Sequence, residues 1–192
     1  MAVTTPTTRT LGRDDWTTPP EVFEPIHRVF QFSLDAAAGS AEEARTKRFI
    51  PPSVNALTAS WRTYCPRPKA GQVPTVWLNP PYGREVSEWV AKAEMEAAKG
   101  LVVCVLIPAN TDTEYWQEWV TESPNCHGIV FLSPRVRFIL PEESEGQRGS
   151  APKGHALIIY GPKVRPSTLI PHHYWNWKSG DFGEVMRALA GK

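Results

Sequence analysis

No stretch of this sequence approaches the ~20 consecutive apolar residues that a bilayer-spanning helix needs. The opening MAVTTPTTRTLGRDD is polar and lacks the apolar run of a secretion signal. A cytoplasmic protein with no membrane partner is therefore expected. Cysteine is scarce: Cys65, Cys104 and Cys126 lie far apart, and none belongs to a C-x-x-C pair. That excludes zinc ribbons, dithiol redox motifs and disulfide scaffolds. Cys104 falls inside the apolar run Leu101 to Ile107 and reads as a small buried hydrophobe. A charge excess is missing too, since 21 Lys and Arg face 20 Asp and Glu. A nucleic-acid partner would have to be held by basic side chains gathered on one face. His172-His173 has no further ligand at metal-binding spacing, so no metal is expected.

What the sequence does have is proline, 19 residues in all, set in short groups such as Pro19-Pro20, Pro51-Pro52 and Pro80-Pro81. Each group interrupts a helix and fixes the shape of a loop. Between them the apolar periodicity is clear. Val22, Phe23, Ile26, Val29 and Phe30 predict a helix over 20–30, with Thr18 as its cap. Phe32 to Asp35 reads as a short strand entering the small-residue turn Ala36-Ala37-Ala38-Gly39-Ser40. Residues 50–74 are mostly loop, and 75–78 form an apolar strand. Val86, Trp89, Val90, Ala93 and Ala97 mark a helix that stops near Gly100. Leu101 to Ile107 is a buried strand, Tyr115 to Val120 a helix, and Gly128 to Leu132 and Val136 to Leu140 two further strands. Residues 141–154 form a polar insertion expected to be mobile, and His155 to Tyr160 is read as the last strand. An aromatic tail (His172 to Trp177) and a short helix ending at Ala190 complete the chain.

Alternating strands and helices with apolar strands predict an α/β domain: a mostly parallel sheet covered on both faces, with an antiparallel hairpin at one edge. One domain over 14–192 is expected, behind a disordered polar tail over 1–13.

The sharpest motif follows the strand at 75–78: Asn79-Pro80-Pro81-Tyr82, then Gly83 and a helix. An exocyclic aromatic amine is a poor nucleophile, because its lone pair is delocalised into the ring. An amide oxygen and a backbone carbonyl that both accept hydrogen bonds from the NH2 localise that pair. Asn79 offers the first acceptor and Pro80 the second. Pro81 stiffens the loop, so the acceptors are preorganised. Tyr82 offers a flat face for an extruded base. The motif points to methyl transfer onto a planar amine.

On these residues the sequence resembles the amino-methyltransferases, and more narrowly the phage-type DNA N-6-adenine methyltransferases (Dam-like). Four other segments carry the resemblance. Asp15-Trp16-Thr17-Thr18-Pro19-Pro20-Glu21 is similar to the family's W-x-T-P opening, and Leu34-Asp35-Ala36-Ala37-Ala38 to its strand-end acidic motif. Asn55-Ala56-Leu57 through Trp61 looks like its N-x-L…W segment, and Ile129 to Leu132 with Arg135 to Phe138 like its F-L-x-x-R-V-x-F hairpin. The glycines common in methyltransferase cofactor motifs are replaced here by Ala36 to Ala38. The resemblance implies a seven-stranded Rossmann-like methyltransferase fold and S-adenosylmethionine as cofactor. It implies cofactor contacts at Trp16, Thr18, Pro19, Asp35, Ala36, Ala37, Asn55 and Leu57. Double-stranded DNA is the expected substrate, met by Arg84, Arg135, Arg137 and Lys153, with 141–154 the leading sequence-reading loop. No obligate protein partner is expected. Two other readings stand beside it: the same chemistry on an RNA guanine or a protein glutamine, and a catalytically silent DNA-binding module of this fold.

Overall fold

A computed structural model describes residues 16–66, 69–139, 148–150, 153–163 and 169–191. The expected tail over 1–13 and most of the 141–154 insertion lie outside the described residues.

Helix α1 (Pro20–Phe30) starts on a proline, whose missing N–H suits a first turn, and buries Val22, Phe23 and Ile26. It closes on Gln31, which is left-handed at φ 53°, with its side-chain amide donating to the Arg28 carbonyl at 2.8 Å. Strand β1 (Leu34–Asp35) follows. Residues 48–50 run beside it: Asp35 N–H donates to the Arg48 carbonyl and Ile50 N–H to the Asp35 carbonyl. Among its described residues, the long irregular stretch to residue 74 contains only the 3-10 turn Trp61–Thr63. Then come β2 (Thr75–Leu78), α2 (Val86–Ala98) and β3 (Val102–Pro108). A single turn α3 (Glu114–Trp116) widens into a π-turn at Gln117–Thr121. Strands β4 (Cys126–Ser133), β5 (Arg137–Ile139), β6 (Arg148–Ser150), β7 (His155–Tyr160) and β8 (His172–Asn176) precede α4 (Phe182–Leu189).

The main sheet has six strands in the order β1-β2-β3-β7-β4-β8. All pairs are parallel except those made by β7, which runs against both β3 and β4. Period-two alternation sends Val103, Val105 and Ile107 to one face and Cys104 and Leu106 to the other. The first face packs under α2, α3 and Trp61; the second packs under α1 and α4.

The Rossmann-like α/β layering matches the expectation, and three details differ. The antiparallel strand is interior rather than at an edge, because all six residues of β7 are buried and need a neighbour on each side. The β5–β6 pair stands apart as a two-stranded ribbon. The aromatic tail is the edge strand β8, where only Trp175 is buried.

Strands β1, β2 and β3 end together at Asp35, Leu78 and Pro108, and β7 begins there, since His155 is in register with Pro108 and Leu132. Open α/β sheets bind their ligands at this end.

Candidate active site

Asn79 is the first residue past β2, and its side chain is held from two sides. Its amide nitrogen donates to the Trp16 carbonyl at 2.7 Å, and its amide oxygen accepts from the Tyr82 hydroxyl at 2.6 Å. The nitrogen can only donate, so this pair of bonds fixes which way the amide faces. Trp16 is itself held, because the adjoining Thr17 exchanges two backbone hydrogen bonds of 3.0 Å with Ile139 of β5. The opening segment, the Asn79 loop and the ribbon thus meet at one point.

Tyr82 lies with its ring against Phe138 (centroids 5.8 Å apart, edge-on) and His155 (5.2 Å). Its hydroxyl also reaches the Leu106 carbonyl at 3.3 Å. Burial pushes the phenol's pKa well above its ordinary value, so it stays a donor. Phe138 and His155 are in contact as well, at 5.0 Å.

Beside Asn79 opens a cleft lined by Trp16, Thr17, Thr18, Asp35, Ala37, Ala38, Gly39, Glu43, Arg45, Trp77 and Pro81. Asp35 forms its wall at the end of β1. One carboxylate oxygen accepts from Ala37 N–H (3.2 Å), the other from Arg45 N–H (2.9 Å). Burial pushes its pKa up to about 6, against the pull of those two donors and the Arg45 charge. The Thr18 hydroxyl and the Arg45 Nε are buried here without a hydrogen-bond partner among the described residues. Orphaned buried polar atoms are rare in folded proteins. Two of them on one cleft ask for a polar ligand.

The family model of the DNA N-6-adenine-methyltransferase (Dam) matches residues 5–180. The chain belongs to that family. It is 27% identical over 166 residues to the DNA N-6-adenine-methyltransferase of Haemophilus phage HP1, a match spanning 84% of this chain and 87% of that protein. It is 34% identical over 164 residues to the DNA N-6-adenine-methyltransferase of Escherichia phage T1, covering 77% of this chain and 62% of that longer protein. Among solved structures, it resembles the methyltransferase subunit of a type I restriction-modification system from Streptococcus thermophilus (TM-score 0.53, 10% identity, 92% of this chain and 53% of that one). It also resembles a protein of Listeria monocytogenes described as a class I S-adenosylmethionine-dependent methyltransferase (TM-score 0.50, 10% identity, 94% and 73%). At that identity the likeness concerns the fold.

Within this Dam-family chain, Trp16, Thr18, Asp35, Ala37, Asn79 and Pro81 come together on the cleft. Ala36 is wholly buried and donates its N–H to the Trp77 carbonyl. Thr18 does not cap α1: Pro19 is the N-cap, and its carbonyl accepts from Val22 and Phe23, one residue beyond the reach of Thr18. Asn55 and Leu57 lie outside the cleft lining. Asn55 instead turns the chain, its side-chain oxygen accepting from Leu57 N–H at 3.0 Å. Pro80 is buried at the loop's base.

Arg84, Arg135, Arg137 and Lys153 are all exposed. Lys153 donates to the Asn110 side chain at 2.9 Å. Val136 and Phe138 are fully buried between and beyond the two arginines, so alternation turns Arg135 and Arg137 outward together. The sequence reading missed two residues of the site. Arg45 sits in the charged stretch EEARTKR, where it looks like any solvated arginine. His155 opens an apolar strand and carries no local motif.

Proposed function

We infer that the chain transfers a methyl group from S-adenosylmethionine to N6 of an adenine turned out of duplex DNA. Family membership over residues 5–180 carries the reaction, and the Asn79 loop at the cleft's rim is the group that would perform it. Bound S-adenosylmethionine supplies an electrophilic methyl on a sulfonium.

The cleft's residues fit that cofactor. The orphaned Thr18 hydroxyl and Arg45 Nε are hydrogen-bonding groups for its polar end. Asp35, ionised above about pH 6, is the charge partner for its ammonium. Ala37, Ala38 and Gly39 keep the floor beside Asp35 low, which gives the cofactor backbone to lie against.

The Asn79 amide oxygen and the Pro80 carbonyl would accept hydrogen bonds from the amine and localise its lone pair on nitrogen, and the proton that the methyl displaces leaves to water. The bond from Asn79 to the Trp16 carbonyl keeps the amide oxygen forward during this step. Tyr82 releases that oxygen when the base enters and then stacks on it. Arg84, Arg135, Arg137 and Lys153 meet backbone phosphates of the duplex.

The deciding experiment incubates the protein with labelled S-adenosylmethionine and unmethylated duplex DNA, single-stranded DNA, RNA or protein, followed by digestion. Label in N6-methyl-2′-deoxyadenosine from duplex DNA is expected; label confined to RNA or protein overturns the reading. Asn79→Ala should lower transfer by about 100-fold or more, as loss of a preorganised electrostatic group does. Its S-adenosylmethionine affinity should stay close to that of the parent, and an equal loss of both would show that Asn79 is a cofactor residue instead.

A further inference from the structure

Buried histidines normally satisfy at least one ring nitrogen. His155 is 2% exposed; apart from a weak approach to the Lys153 backbone, neither Nδ1 nor Nε2 has a hydrogen-bond partner among the described residues. It stands at the C-terminal ends of the parallel strands, against Tyr82 and Phe138, one side chain away from Asn79.

What Tyr82 does in this state shows where a base would lie. The phenol is a planar six-membered ring carrying one hydrogen-bond donor at its edge. That donor is bound to the Asn79 amide oxygen, and the ring lies against Phe138 and His155. An adenine amine stands at the same remove from its own ring as the hydroxyl does from the phenol. A base that displaces the phenol from the Asn79 oxygen, with the Tyr82 ring swinging aside to stack on it, enters the space the ring has left and meets His155 with its ring edge.

We propose that His155 is a base-contacting specificity residue, donating an N–H to a ring nitrogen of adenine that flanks the target amine. This rests on the adenine-N6 reading given above. A neutral imidazole has one donor and one acceptor, and adenine presents ring acceptors at N1 and N7 on either side of its amine. Burial keeps the ring neutral, pushing its pKa down to about 4 against a smaller opposing effect of the Lys153 backbone. A neutral donor binds the base without adding a positive charge beside the sulfonium. The imidazole N–H that is unmet in the ligand-free protein is then met by a base with a ring acceptor beside its amine and rejected by one with a ring N–H there, which is how a buried polar group discriminates.

The test is a double-mutant cycle between protein and substrate. Modified-base sequencing first locates the methylated site, and a synthetic duplex carrying that site is made with adenine, 1-deazaadenine or 7-deazaadenine at the target. With the parent protein, one of the two analogues should lower kcat/KM about tenfold beyond its intrinsic effect. With His155→Phe that analogue's extra penalty should vanish, while His155→Gln, which keeps a donor, should restore part of it. S-adenosylmethionine binding by each variant shows that it is folded. If both analogues lose the same factor in the parent and in His155→Phe, the proposal is overturned. If no duplex is methylated by the parent, the adenine-N6 reading itself fails, a distinct result.

Discussion

At the scale of single residues, the site is marked by polar atoms whose partners are absent or provisional. The Thr18 hydroxyl is buried in the cleft with no partner among the described residues. Replacing it by the isosteric valine removes an unsatisfied group, which relieves a penalty of ~1–3 kcal/mol set by the desolvated hydroxyl. Thr18→Val should thus leave the ligand-free protein as stable or more stable in urea, while weakening S-adenosylmethionine binding by about 1 kcal/mol in calorimetry. A loss of stability with unchanged affinity would return Thr18 to a purely structural part. Tyr82 allows a similar separation. Tyr82→Phe loses the bonds to Asn79 and Leu106, so the fold should lose about 1 kcal/mol while the DNA KM holds or falls. Tyr82→Ala removes the ring and should raise the DNA KM by the equivalent of ~1–3 kcal/mol. The sequence displayed Asn79 to Tyr82 plainly, because that chemistry needs consecutive residues. It could not display His155 or Arg45, whose environment is made by distant segments. Nor could it tell that Asn55 shapes a turn, since an asparagine before a hydrophobe serves either purpose.

At the scale of elements, the stretch between β1 and β2 has little secondary structure and still has to hold the wall of the cleft. One buried ionic cluster anchors it. Glu96 of α2 has a fully buried side chain, with one oxygen accepting from Lys92 (2.8 Å) and Lys99 (3.2 Å) and the other from Trp61 N–H (3.2 Å). Lys92 also lies over the Trp61 ring at 5.9 Å. Removing one member strands a buried charge. Glu96→Leu should therefore cost about 3–5 kcal/mol in urea denaturation. The double variant Lys92→Met, Glu96→Gln should recover much of that, because no charge stays buried and the glutamine oxygen still accepts from Trp61. A double variant no better than Glu96→Leu would show that neither a stranded charge nor the lost Trp61 bond accounts for the cost. Element boundaries were legible wherever periodicity was strong, as in α1, β2, α2 and β3. The interior position of β7 was not, because a fully apolar six-residue run states that both faces are covered without naming its neighbours. Strand β8 was hidden for the opposite reason: His172, His173, Tyr174 and Asn176 are exposed and give no alternation.

At the scale of the whole molecule, two buried titratable groups at the site pull stability in opposite directions with pH. Asp35, near Arg45 and Glu43, has its folded pKa raised from 3.8 to about 6 by burial. Between those values the folded form holds a proton that the unfolded form has lost, so acidification from pH 6 toward 3.8 stabilises the fold. The gain is about 3 kcal/mol when complete. His155, packed on Tyr82 and Phe138, has its folded pKa lowered from 6.5 to about 4. Here the unfolded form takes the proton first, so acidification from pH 6.5 toward 4 destabilises by a similar amount. In the parent protein the two slopes nearly cancel. Each variant should uncover the other: Asp35→Asn should lose stability on going from pH 6.5 to 4 relative to the parent, and His155→Gln should gain it. Chemical denaturation at three pH values checks this, since every other titrating group is common to the three proteins. Differences that do not change with pH would mean that neither group is buried to this degree in solution. Binding supplies the functional counterpart. If an ionised Asp35 holds the ammonium of S-adenosylmethionine, affinity should fall as pH drops below about 6 in the parent and stay flat in Asp35→Asn. The charge that the fold tolerates at neutral pH is then kept for its ligand.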